Sequence, residues 1–176
     1  MIRIVIAEDQ ELLLGAIGSL LNLEEDMEVV GRARNGEEAL MLVQRLQPDV
    51  CLLDIEMPKK SGLEAAEALK LTSCKVIILT TFARKGYFQR AIDADVHGYL
   101  LKDNPSEELA DSIRSIMEGM RIYSPDLMDE DLSQNERDLP GLDKECKPEK
   151  IKLTIHLGSV RKYLSTILDK IKSPTG

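Results

Sequence analysis

Five short β-branched runs, each followed by a longer amphipathic stretch, occupy the first 120 residues and leave few folds open. The runs are Ile2–Ile6, Met27–Arg34, Val50–Leu53, Lys75–Leu79 and Gly98–Leu101. After the first, Leu13, Ile17, Leu20 and Leu21 recur at helical spacing, and Leu40, Val43 and Leu46 do so after the second. Leu63, Ala66 and Leu69, then Phe88 and Ile92, then Leu109, Ile113, Ile116 and Met120 continue the alternation. Helix starts are marked as well. Ser61-Gly62-Leu63-Glu64 reads as a capping box, and Asn104-Pro105-Ser106-Glu107 offers an Asn cap with Pro in the first turn. Five β–α units in series predict an α/β fold: a doubly wound, five-stranded parallel sheet with helices on both faces.

Such a sheet gathers its chemistry at the carboxyl ends of its strands. Those ends carry Glu8 and Asp9 after the first run, Asp54 after the third, Thr80 and Thr81 after the fourth, and Lys102 after the fifth. Singly, each has an ordinary explanation: an acidic pair is usually a solvated loop, and a lone Asp after a strand is a turn or cap residue. Their convergence on one edge points instead to a site. Three carboxylates brought together repel unless a cation sits among them. Mg2+ suits them, being a hard ion that takes one or two carboxylates and keeps positions for phosphate oxygens. With a lysine to hold a phosphoryl oxygen and a threonine hydroxyl to hold another, the set is equipment for phosphoryl transfer to an aspartate. Asp54, ending the central apolar run Val50-Cys51-Leu52-Leu53, is the expected nucleophile.

Composition removes other classes. Apolar runs are strand-length, far below the ~20 residues of a membrane span, and Met1–Ile6 leads into acidic residues without a signal-peptide pattern. Cys51, Cys74 and Cys146 are an odd, widely spaced set, so buried thiols in a reducing cytoplasm are expected rather than a disulfide framework. His97 and His156 have no zinc-ligand spacing to them. The net charge of −8 conceals a division. Residues 1–120 hold 13 basic and 21 acidic side chains, residues 121–149 hold 4 and 9, and residues 150–176 hold 6 and 1. A global balance this acidic argues against nucleic acid, but the last stretch is locally basic.

In combination, Ile6-Ala7-Glu8-Asp9, Asp54-Ile55-Glu56-Met57-Pro58 with Gly62, Leu79-Thr80-Thr81 and Gly98-Tyr99-Leu100-Leu101-Lys102 resemble the receiver domain of two-component response regulators. The resemblance covers the first two-thirds of the chain. It implies a flavodoxin-like strand order 2-1-3-4-5, and phosphorylation of Asp54 by a sensor histidine kinase. It also implies Mg2+ held by Asp9 and Asp54, with Glu8 in the acidic cluster and the main-chain carbonyl of Glu56, and a phosphoryl group held by Thr80 and Lys102. Tyr99 would be the switch aromatic that responds to Thr80. Leu100-Leu101-Lys102-Asp103 is similar to the NarL/LuxR subgroup of transcriptional regulators. Glu8-Asp9-Gln10, Thr81-Phe82-Ala83-Arg84 and Pro105-Ser106-Glu107-Glu108-Leu109 are similar to one of its members. Asp95 stands where the subgroup usually has glycine; a positive φ there would be costlier for Asp.

The expected organisation is a receiver over 1–120, a linker and degraded start of an output domain over 121–149, and a short helix-turn-helix-like segment over 150–176. In that last segment Val160, Leu164, Ile167, Leu168 and Ile171 share a helical face. Leu153–Leu168 is similar to the subgroup's turn and recognition helix. Ser159 would cap that helix, and Arg161 and Lys162 would meet DNA in its first turn. Pro140-Gly141 interrupts the counterpart of the output domain's first helix, and the residues after 168 leave no room for its fourth. The resulting expectation is a cytoplasmic phosphoacceptor regulator, dimerising when phosphorylated, that binds DNA. One alternative is a receiver with a non-functional output that acts as a phosphate sink or competitor. A distant one is an aspartate-nucleophile phosphohydrolase, which wants a second Asp where Glu56 stands.

Overall fold

A computed structural model describes residues 1–81, 84, 86–102 and 106–124, with the side chains of Ser106 and Glu107 excepted. Strands β1 (Ile2–Ala7), β2 (Met27–Ala33), β3 (Val50–Asp54), β4 (Lys75–Thr80), β5 (Gly98–Leu101) and β6 (Ile122–Tyr123) form one sheet in the order β2-β1-β3-β4-β5-β6. Every pairing is parallel. Helices α1 (Glu11–Leu21), α2 (Gly36–Leu46), α3 (Gly62–Leu69), α4 (Tyr87–Asp93) and α5 (Ser106–Met117) make the crossovers. The doubly wound arrangement and the order 2-1-3-4-5 are as expected.

The pleat divides the strands between two cores. Val5, Ala7, Cys51, Leu53, Val76 and Ile78 face Ala39, Val43, Leu63, Ala66, Leu69 and Ala91 of α2, α3 and α4. Ile4, Ile6, Leu52, Ile77, Leu79 and Leu100 face Leu14, Leu21, Ala110, Ile113 and Ile116 of α1 and α5. A strand covered on both faces has no polar side, which is why β3 reads Val-Cys-Leu-Leu-Asp and is buried throughout. Each fully buried Leu or Ile contributes about 1.5–3 kcal/mol from water exclusion.

Helix starts are set locally. Asn35 accepts the Glu38 N–H at 3.0 Å and caps α2. At α3, the Ser61 hydroxyl accepts the Glu64 N–H while the Glu64 carboxylate accepts the Ser61 N–H at 2.9 Å, completing the expected capping box. The expected cap residues Asn104 and Pro105 lie outside the described residues. Asp95 does take the left-handed conformation, at φ 59°, and its carboxylate accepts from Arg121 at 2.6 Å.

Two boundaries differ from expectation. α5 ends at Met117, before the periodic Met120, because Gly119 takes φ 94° and turns the chain back. The chain then re-enters the sheet as β6, whose Ile122 and Tyr123 pair with Gly98 and Tyr99. The sheet therefore continues past residue 120. Two residues carry too little periodicity to reveal a strand in the sequence. Among the described residues, no helix is long and apolar enough to cross a membrane.

Candidate functional site

The sheet order reverses direction between β1 and β3: β1 leads leftward to β2, whereas β3 leads rightward to β4 and β5. A crevice opens where connections diverge in this way, beyond the strands' carboxyl ends. Here it is a cavity of about 170 Å³, bordered by Asp9, Gln10, Asp54, Glu56, Thr80, Thr81, Arg84, Tyr87 and Lys102. Glu8 lies beneath it, 1% exposed.

Backbone bonds hold the elements of this crevice in place. The Glu8 N–H donates to Ala33 O at 3.1 Å, and the Lys102 N–H donates to Thr80 O at 2.9 Å. The turn after β3 is closed by the Gly62 N–H on Ile55 O at 3.1 Å. A Cβ on Gly62 would overlap the main-chain carbonyl of Asp54, so the strand end and the start of α3 can approach this closely only with glycine there.

Within the crevice, the buried Lys102 ammonium lies 2.6 Å from a Glu8 oxygen and 2.9 Å from an Asp54 oxygen. Carboxylate oxygens of Glu8, Asp9 and Asp54 lie within 4.8 Å of one another. Burial pushes the Glu8 and Asp54 carboxyls up, and Lys102 opposes this in both by hydrogen bond and by charge. Asp54 is further steadied as an anion by the N–H groups of Ile55 and Glu56. One ammonium facing three carboxylates leaves negative charge over, and all the donors are hard oxygens. That donor set fits a small divalent cation such as Mg2+, which prefers oxygen ligands. Thr80 is buried, and its position at the end of β4 places it on the cavity wall.

The expected residues Glu8, Asp9, Asp54, Thr80 and Lys102 are thus brought together from four strand ends. The Glu56 side chain, also on the cavity border, pairs with Arg84 at 2.8 Å where both are about half exposed. Tyr99 is 1% exposed and does not border the cavity; its ring packs edge-on against Phe88 at 5.6 Å. Phe88 in turn meets Tyr123 at 5.8 Å, a contact that depends on the unanticipated β6. Ser159, Arg161 and Lys162 lie outside the described residues. Gln10, Arg84 and Tyr87 border the cavity without having been singled out as site residues. Their signal was available: each follows a strand whose carboxyl end reaches the same edge.

Comparison with known proteins agrees with this geometry. Residues 4–114 match the family model described as response regulator receiver domain. The transcriptional regulatory protein DesR of Bacillus subtilis, the member whose segments were noted above, is 59% identical over 98% of this chain and 91% of its own length. The uncharacterized transcriptional regulatory protein YvfU of the same organism is 52% identical over 98% and 92%. A crystal structure of a LuxR-family DNA-binding response regulator from Staphylococcus aureus superposes with TM-score 0.64 at 40% identity, covering 66% of this chain and 99% of that one.

Proposed function

Because the chain belongs to the response regulators, in their NarL/LuxR group, we propose that it accepts a phosphoryl group on Asp54 from a sensor histidine kinase. The observation that carries this is the buried Asp54 carboxylate at the end of the central strand, 2.9 Å from the Lys102 ammonium and open to the cavity. An Asp54 oxygen attacks phosphorus; the bond from phosphorus to the kinase histidine nitrogen breaks, and its electron pair leaves with that nitrogen. Lys102 favours the anionic carboxylate beforehand and meets charge on the phosphoryl oxygens afterwards. The Thr80 hydroxyl donates to another of those oxygens. Asp9 and Asp54, with Glu8 and the main-chain carbonyl of Glu56, would hold Mg2+, which when bound neutralises developing phosphoryl charge.

The phosphorylated chain adds about −1.5 to −2 charge beside Thr80 and Lys102. Thr80 moves toward that charge and Tyr99 follows, shifting the population toward a dimer. Dimerisation sets two copies of the basic 150–176 segment on adjacent DNA half-sites, with Ser159, Arg161 and Lys162 at the groove. The setting is the cytoplasm, where Cys51 and Cys74 stay as the thiols they are here.

Beryllofluoride with Mg2+, read by light scattering and by DNA gel shift, tests this. The wild type should dimerise and shift its DNA, Asp54→Ala should do neither, and Arg161→Ala should dimerise without a shift. A wild type that stays monomeric would contradict the switch. Dimerisation without any DNA shift would favour the receiver that acts as a phosphate sink.

A further inference from the structure

The Glu56–Arg84 pair lies at the mouth of the cavity that contains Asp54, and both residues border that cavity. Lys102 is already engaged by Glu8 and Asp54. Arg84 is therefore the one other cation among the described residues that border this cavity, and its present partner is an exposed carboxylate. Exposed pairs of this kind are worth little and exchange readily. Its backbone is anchored where such an exchange can be used. The Arg84 carbonyl accepts the N–H of Tyr87, the first residue of α4, at 3.1 Å, which ties Arg84 to the start of that helix at the cavity border.

Charge gives the direction of the exchange. A phosphoryl group on Asp54 replaces one negative charge by about two, beside the carboxyl groups of Glu8 and Asp9. With both ionised, a magnesium ion and Lys102 together supply three positive charges against roughly four negative ones. One more cation at the rim completes the balance, and a guanidinium offers paired N–H donors that suit phosphoryl oxygens.

On the reading that Asp54 is the phosphoacceptor, we infer that Arg84 is a donor-binding residue. It leaves Glu56 to hold the oxygens of an incoming dianionic phosphoryl donor, and Glu56 competes for it. With acetyl phosphate, an Asp54 oxygen attacks phosphorus and the bond to the acyl oxygen breaks, its electron pair leaving as acetate. Arg84 makes no bond in that step; it raises the occupancy of the donor and steadies its charge.

The two side chains thus have opposite effects, which a merely structural pair would not. Autophosphorylation should be followed with Mg2+ and either acetyl phosphate, a dianion, or phosphoramidate, which carries less negative charge. Arg84→Ala should slow the acetyl phosphate reaction roughly tenfold, the scale of one charge-assisted contact, and slow the phosphoramidate reaction less. Arg84→Lys should fall between, and Glu56→Gln should speed the acetyl phosphate reaction. Equal losses with both donors, or Glu56→Gln slowing the reaction as Arg84→Ala does, would overturn the inference while leaving Asp54 as phosphoacceptor. A wild type that takes phosphate from neither donor removes that reading and this inference with it.

Discussion

At the scale of single residues, burial and charge act on the same groups with opposite sign, and geometry decides which prevails. Glu8 and Asp54 show this through Lys102, whereas at His97, away from the site, burial and the neighbouring cations act in the same direction. His97 precedes β5, and its Nε2 lies 3.3 Å from the Lys75 ammonium. Burial, then the charges of Lys75 and Arg121, lower its pKa from 6.5 to about 4. The unfolded chain therefore binds a proton below pH 6.5 that the folded chain refuses until about pH 4. Stability from this group is complete above pH 6.5 and declines as pH falls through that window. The decline should amount to about 1–2 kcal/mol, allowing for screening at a partly exposed ring. Urea midpoints at pH 7 and pH 4.5 measure it: His97→Gln should lose less stability on acidification than the wild type, and an equal loss would contradict the assignment.

Among the elements, the strands and helices were legible because burial on both faces forces a recognisable pattern. Val50–Leu53 could hardly be anything but a central strand, and Ser61–Glu64 announces α3 through bonds between near neighbours. The convergence of Glu8, Asp54, Thr80 and Lys102 was legible too, since parallel strands bring all their carboxyl ends to one edge. What escaped were features made by pairing across the chain. β6 exists because Gly119 reverses the chain beside β5, and Arg84 meets Glu56 across two different loops. Neither leaves a local periodicity. Gly62 illustrates how an element boundary serves the site. Gly62→Ala drives a methyl into the Asp54 carbonyl, which should cost about 1–3 kcal/mol by overpacking and slow Asp54 phosphorylation beyond what unfolding explains. Chemical denaturation paired with phosphorylation rates under folded conditions checks this; an unchanged rate would show that the α3 start does not position Asp54.

For the molecule as a whole, one acidic sheet domain is followed by a basic segment, and the net −8 hides the contrast. The receiver gathers Glu8, Asp9 and Asp54 at one sheet edge, while residues 150–176 hold 6 basic side chains against 1 acidic. Phosphorylation is proposed to connect them, so the central claim is that Asp54 alone takes the group. Its most direct test is to incubate the protein with acetyl phosphate and Mg2+, trap the acyl phosphate with borohydride, and locate the reduced residue by mass spectrometry. The account predicts a single modified position, Asp54, lost in Asp54→Ala and lost when EDTA removes the metal. Labelling at another residue, or labelling that survives Asp54→Ala, would contradict it.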